Sequence, residues 1–292
     1  MGDIRLFLDT SDPIFLSKNS GVICLKEPNI DFENYKSGVF IPKLDFEVLD
    51  MVGNGIATSN KNDLGRTVYI GQFDEKVNDY FFGEYIKHIT EINVQYEQEI
   101  INKLVLKNVE QFVLNLLNKK KNVSFNKYSS AIQATNKQII RANAVSGYDI
   151  VNYSSTQNPN SPFKLRGLHI DNWQIPRFCV SKRHLAGVKL GLNIGLQKRD
   201  VMFIDSSVSL MAQVLQNAGD KQVKSFLHGD FATPIGEMFM LYNPLIPVYK
   251  FTLAPNSYYI MPVQNMVHDG FPFLQNYTDY NFMMSFTHFN FL

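Results

Sequence analysis

Cysteine is scarce: Cys24 and Cys179 are the two in 292 residues. That excludes a disulfide framework, makes a reduced cytoplasmic compartment the expectation, and leaves both residues as inert thiols rather than nucleophiles. Charge of one sign is lacking too. Lys and Arg number 28 against 27 Asp and Glu, a formal net charge of +1. A dedicated nucleic-acid binder would carry a basic stripe, so that class of partner is excluded. No apolar run approaches the ~20 residues a membrane-spanning helix needs. The opening Met1-Gly2-Asp3-Ile4-Arg5 has no basic segment followed by a long apolar stretch, so no signal peptide is expected. Repeats, low-complexity segments and a clear linker are also missing. What is abundant is core material: 45% hydrophobic and 13% aromatic residues exclude global disorder. Six histidines, at 88, 169, 184, 228, 268 and 288, are the feature left to explain.

The chain changes character along its length. Residues 1–72 read as an irregular α/β lead-in, with short apolar runs at Gly21–Leu25 and Phe46–Met51. Gly53–Arg66, rich in Gly, Asn and Ser, is expected as a loop, and two readings stay open for it, a substrate lid or a merely mobile connection. Apolar residues then recur at helical spacing from Tyr80 to Val94 and from Ile100 to Leu117. That predicts amphipathic helices packing on a neighbouring layer, with Lys119–Lys121 at a helix end. From about residue 122 the pattern predicts strands, at Gly147–Tyr153, Phe163–Ile170, Gly187–Leu196, Val201–Ile204, Gln222–Phe226, Met238–Tyr242, Val248–Leu253, Tyr258–Val263 and Tyr280–Phe291. One helix, Ser207–Asn217, interrupts them. Many short strands with turns between them indicate a β-sandwich with helices outside it, one domain across 1–292: an N-terminal extension with supporting helices (1–121) and a β core (122–292).

The chemistry-bearing stretch is Leu165-Arg166-Gly167-Leu168-His169-Ile170-Asp171-Asn172-Trp173. Residues i and i+2 of a strand share a face, so His169 and Asp171 can aim an imidazole and a carboxylate at one point. Far downstream, Ala254-Pro255-Asn256 leads into an apolar strand that ends at His268-Asp269-Gly270. Two His and one carboxylate in this arrangement form a facial triad, which holds non-haem Fe(II) and leaves positions open.

On these residues the chain resembles the Fe(II)/2-oxoglutarate-dependent dioxygenases over roughly residues 140–292. The resemblance implies a mainly β, α+β fold: a double-stranded β-helix (jelly-roll) core with helices packed on one sheet and an N-terminal α/β extension. It implies His169, Asp171 and His268 as metal ligands and catalytic centre, with Fe(II), 2-oxoglutarate and O₂ as cofactor and co-substrates. The implied reaction is hydroxylation of a small polar substrate, an amino acid or a derived metabolite, with release of succinate and CO₂. An intact Asp171 favours hydroxylation over halogenation, whose enzymes have a small residue there.

The family often places Arg or Lys about ten residues after the distal His, for the far carboxylate of 2-oxoglutarate. Here that position is Thr278, and all Lys and Arg lie at or before Lys250. The anchor must come from upstream. In Gly187–Gly195, Val188, Leu190, Leu192 and Ile194 share one face and Lys189, Gly191, Asn193 and Gly195 the other. Small residues beside Lys189 and Asn193 make room for a ligand. Lys189 is therefore the expected anchor and Asn193 an auxiliary donor, with Arg183 and Arg177 next in line. Arg141 and Arg166 are expected to bind a substrate carboxylate. Trp173, and the aromatic residues of Phe271-Pro272-Phe273, Tyr277 and Tyr280, admit two readings: pocket wall or core. His88, His184, His228 and His288 have surface, loop or core readings. Two other classes stay open: a cupin-like iron oxygenase that does not use 2-oxoglutarate, and a metal-free β-sandwich binding module. The sequence is silent on oligomeric state.

Overall fold

The computed structural model describes residues 2–9, 14–26, 35–49, 63–90, 97–120, 123–135, 140–146, 149–155, 166–175, 177–270 and 279–291. The lead-in holds β1 (Arg5–Asp9), β2 (Leu16–Lys18), β3 (Val22–Leu25), β4 (Val39–Pro42), β5 (Glu47–Val48) and β6 (Thr67–Gln72). Two helices follow, α1 (Val77–Thr90) and α2 (Glu97–Lys119), then β7 (Val123–Thr135), β8 (Ile140–Ser146) and β9 (Asp149–Ser155). A 3₁₀ turn (Val180–Leu185) leads to β10 (Val188–Asn193) and β11 (Arg199–Ser207). Three helices come next: α3 (Val208–Asn217), α4 (Val223–Phe226) and α5 (Ala232–Tyr242). The chain closes with β12 (Tyr249–Leu253), β13 (Ser257–Met261), β14 (Met266–Gly270) and β15 (Asp279–Phe291).

The result is a mixed α/β protein dominated by strands. An eight-stranded sheet runs β1-β6-β13-β10-β15-β7-β8-β9, and a five-stranded sheet runs β14-β11-β12-β2-β5. Lead-in strands thus extend both sheets. Strand alternation sorts the side chains into three layers of core. Leu190 and Leu192 on β10 and Ile194 just after it, with Phe282, Met284 and Phe286 on β15, pack against Val105, Val109 and Val113 of α2. Between the sheets lie Val201 and Phe203 of β11, Phe251 of β12, and Tyr259 and Met261 of β13. The other parity of β11, Met202 and Ile204, meets Met211 and Leu215 of α3 and Phe239 of α5. Helices therefore pack on both sheets, not on one as expected: β10 and β15 turn an apolar face to α2, and β11 turns one to α3 and α5.

The three helices read from periodicity in the sequence are present, and two are capped by side chains. Ser207 accepts from Leu210 N at 3.2 Å at the start of α3, as expected. Asn256, at φ 71°, accepts from Val77 N at 2.7 Å and so caps α1 from the β12–β13 turn. Two expected strands are helices instead. Gln222–Phe226 contains α4, and Met238–Tyr242 is the end of α5. A five-residue apolar run is ambiguous by itself. In α5 burial of Ala232, Ile235, Gly236, Phe239 and Met240 follows helical spacing, while Leu241 and Tyr242 are exposed. Most of the expected loop Gly53–Arg66, and the Phe271-Pro272-Phe273 turn with Tyr277, lie outside the described residues.

Candidate metal centre

The segment carrying His169 and Asp171 is irregular rather than a full strand. A single antiparallel bridge joins His169 to His268. His169 N donates to His268 O at 3.1 Å and His268 N to His169 O at 2.9 Å. Such a reciprocal pair sets the two residues directly opposite each other, with side chains on one face. Their rings stand 4.8 Å apart. Asp171 N donates to Val263 O at 2.9 Å, which brings the carboxylate to the same point. One ligand atom from each of His169, Asp171 and His268 lies within 4.8 Å of the others.

Both rings are oriented by backbone. His169 Nδ1 donates to Gly167 O at 2.6 Å and His268 Nδ1 to Met266 O at 3.4 Å. The two Nε2 atoms then face Asp171, at 3.4 Å from Oδ1 and 3.8 Å from Oδ2. Fixing the proton on Nδ1 leaves Nε2 as the lone-pair donor a metal takes. Electrostatics agrees with a cation site. Burial raises Asp171, but the Lys189 ammonium and the two histidines outweigh it and hold the carboxyl well below its ordinary value. Burial pushes His268 down to about 3, so it is neutral. Burial also lowers His169, but its hydrogen bond to Asp171 and that carboxylate's charge leave it raised above 6.5. An ionised carboxylate and a neutral imidazole are ligand forms, and two N and one O donor suit Fe(II), Mn(II) or Zn(II).

Lys189 reaches the triad itself: its ammonium pairs with Asp171 Oδ2. Burial lowers Lys189, while Asp171 more than compensates and raises it. The space left by Gly191 is taken, since a Cβ there would lie 2.4 Å from Tyr259 Oη. Asn193 is spent on backbone. Its Nδ2 donates to Gln197 O at 2.8 Å and Leu253 O at 3.2 Å, and its Oδ1 accepts from Gly195 N at 3.0 Å, stapling the β10–β11 turn. Arg183 is buried and supports the ligand segment from behind. Its guanidinium pairs with Asp230 and donates to Asn172 Oδ1 at 2.9 Å, while Asn172 Nδ2 donates to Asp230 at 3.1 Å. Arg177 also meets Asp230, at 2.6 Å. A second clasp holds the same segment: Gln174 Oε1 accepts from Gly187 N at 2.7 Å and from Gln264 Nε2 at 3.2 Å.

Trp173 and Arg166 line a cleft of about 640 Å³ that opens on His169 and Asp171. Trp173 also stacks on Tyr128 at 5.0 Å. Arg141 sits on β8, and its side chain is outside the described set. Tyr280 packs against Phe81 and Phe82 under the helices, not at the site. His228 and His288 are exposed, and His184 is half-buried.

Sequence reasoning missed the polar wall inside the sandwich. Arg199 is 7% exposed, and a Cβ on Gly270 would lie 3.1 Å from its Nη2. Tyr259 and Asp269 are within its electrostatic reach. Burial lifts Asp269 to about 7 against the opposing pull of His169 and Arg199. Asn281 is fully buried, and its side chain acts on Tyr259. Parity could have found Arg199, which shares its strand face with Val201 and Phe203.

Comparison with known proteins finds no matching family model, no matching curated protein and no matching solved structure. The functional argument therefore rests on the chain's own geometry. Among the described residues no helix is long and apolar enough to cross a membrane.

Proposed function

We propose that this chain is a non-haem Fe(II)- and 2-oxoglutarate-dependent oxygenase built on a double-stranded β-helix core. The convergence of His169, Asp171 and His268, two oriented imidazoles and one ionised carboxylate, carries the reading. When bound, Fe(II) with O₂ supplies the oxidation of a C–H bond that no side chain can perform. The balance is one C–H bond, 2-oxoglutarate and O₂ consumed, and one C–OH group, succinate and CO₂ formed, one oxygen atom going to each organic product.

The protein's own part is charge and position. His169, Asp171 and His268 would hold the metal. The Lys189 ammonium stands on Asp171 Oδ2 and keeps that carboxylate ionised and in place. Arg199, buried on the same interior side with Tyr259 and Asn281, receives the far carboxylate. One observation favours a second reading, an iron oxygenase whose substrate chelates the metal directly: no Lys or Arg follows Lys250 to serve a C-terminal carboxylate site.

The test is anaerobic Fe(II) titration followed by succinate measurement in air. Stoichiometric Fe(II) binding with succinate formation supports the first reading. Binding without succinate selects the second. Absence of binding, or binding unchanged in His169→Ala, rejects both in favour of a metal-free module.

A further inference from the structure

The cleft that His169 and Asp171 line, and His268 does not, has apolar and charged walls. Phe40, Leu168, Ile170, Met240 and Val267 form its apolar side. Besides the ligand Asp171, its charged residues are Lys36, just before β4, Arg166, three residues before the first ligand, and Glu237 on α5. All three are exposed, and none has an ion-pair partner among the described residues. The segments that carry the two cations are joined by backbone. Leu168 N donates to Phe40 O at 2.8 Å. Gly167 takes φ +65°, and a Cβ there would lie 2.3 Å from Phe40 O. The Arg166 segment is thereby fixed against the strand that Lys36 precedes, and Glu237 stands on a separate helix.

From this cleft, and resting on the oxygenase reading, we propose that the substrate is a small zwitterion, a free α-amino acid or close amino-acid derivative with both charged groups intact. Its carboxylate binds between Lys36 and Arg166, its ammonium binds Glu237, and its apolar side chain lies along Phe40, Ile170 and Met240 toward His169 and Asp171. A guanidinium forks onto a carboxylate in a way it does with no neutral group. A neutral apolar substrate would strip water from three charges and return no partner to them. A polyanion is disfavoured by Glu237 in the same wall and by a net charge of +1. A cleft of about 640 Å³ is the size of a small-molecule site.

The experiment uses the full chain with Fe(II), 2-oxoglutarate and O₂. Probes are the twenty proteinogenic L-amino acids, each beside its primary amide and its des-amino acid. At least one free amino acid is expected to raise succinate formation, and its amide and des-amino acid to act at KM values roughly tenfold higher or more, the loss of one charged hydrogen bond. Arg166→Gln and Lys36→Gln should raise KM for the amino acid by a similar factor but leave KM for its amide unmoved. Glu237→Gln should do the converse with the des-amino acid, and Arg166→Lys should recover part of the loss. Calorimetric titration of the metal-free chain with the same amino acid reads the same ordering without turnover. The inference is overturned if amide and des-amino acid match the amino acid, if the three neutral variants keep its KM, or if succinate forms but no probe stimulates it. Loss of Fe(II) binding and of all succinate would instead overturn the oxygenase reading.

Discussion

The two segments that deliver the metal ligands are held in different ways. His268 sits on β14, a strand that pairs with β11 on both sides of one register shift, where Phe203 faces His268 and Met202 faces Asp269. His169 and Asp171 sit on a stretch with one bridge and no ladder. Isolated backbone bonds to Phe40, His268 and Val263 hold it together with side chains: Asn172 on Asp230 and Arg183, and Gln174 on Gly187 and Gln264. A ladder distributes its hold over many backbone bonds, so no single side chain is critical there. A clasp concentrates its hold in a few buried polar groups, and each one lost is costly.

The largest break is at the ligands themselves. His268→Ala leaves the β14 ladder intact, because the ladder uses backbone alone. Fe(II) or Mn(II) affinity should nevertheless fall by at least about 100-fold, more than the loss of a supporting residue causes. Titration calorimetry checks it, and a variant that binds normally removes His268 from the site. The next break is at the clasp. Arg183→Met takes the buried partner from Asp230 and the donor from Asn172. Stability should drop by about 3 kcal/mol, the lower part of the range for breaking a buried pair, since Arg177 still meets Asp230. Metal affinity should drop roughly 10–100-fold. Denaturant midpoints and metal titration together test this, and an unchanged affinity would detach the clasp from the ligands. Gln174→Ala is milder. It leaves Gly187 N–H without its acceptor, a cost of about 1–3 kcal/mol, with a smaller change in metal affinity.

The smallest effect is in pH dependence of the metal-free chain. The folded value of His268 is pushed down to about 3 from 6.5. Between those values the unfolded chain binds a proton at this position that the folded chain does not, so stability falls as pH falls across that window. His169, raised above 6.5, acts the other way: it stabilises below 6.5 and loses that contribution as pH rises through its folded value. Asp171, held below its ordinary 3.8, contributes above that value and loses it only at lower pH. His268→Gln should therefore flatten the acid limb of a stability profile between about pH 6 and pH 4. An unaltered limb would mean that His268 is not buried in its neutral form.

Much of this was legible in the residues. The His-x-Asp pair, the distal His, the amphipathic runs of α1 and α2, the α3 cap and the alternation of β10 all follow from short-range rules. The failures have specific causes. Met238–Tyr242 is five apolar residues, too few to separate period 2 from period 3.6. Lys189 was seen beside open space because Gly191 has no side chain, but Tyr259 from the neighbouring strand fills that space. Asn193 was read as a donor for a ligand, and it is a turn staple. Arg199 went unnoticed although parity puts it on the face of Val201 and Phe203, because a lone basic residue at a strand start reads as solvent-facing until the opposed sheet covers it.

Local chemistry alone determined which residue types were present, which face of each element is apolar, and that three metal-ligand side chains existed. Only the tertiary structure decided that His169 and His268 pair across one bridge, that Lys189 stands on Asp171, and that Lys36, Arg166 and Glu237 share a cleft. The reason is physical. Propensity and periodicity act within a few residues, whereas a site is made by strand register and sheet packing, which join residues far apart in the chain.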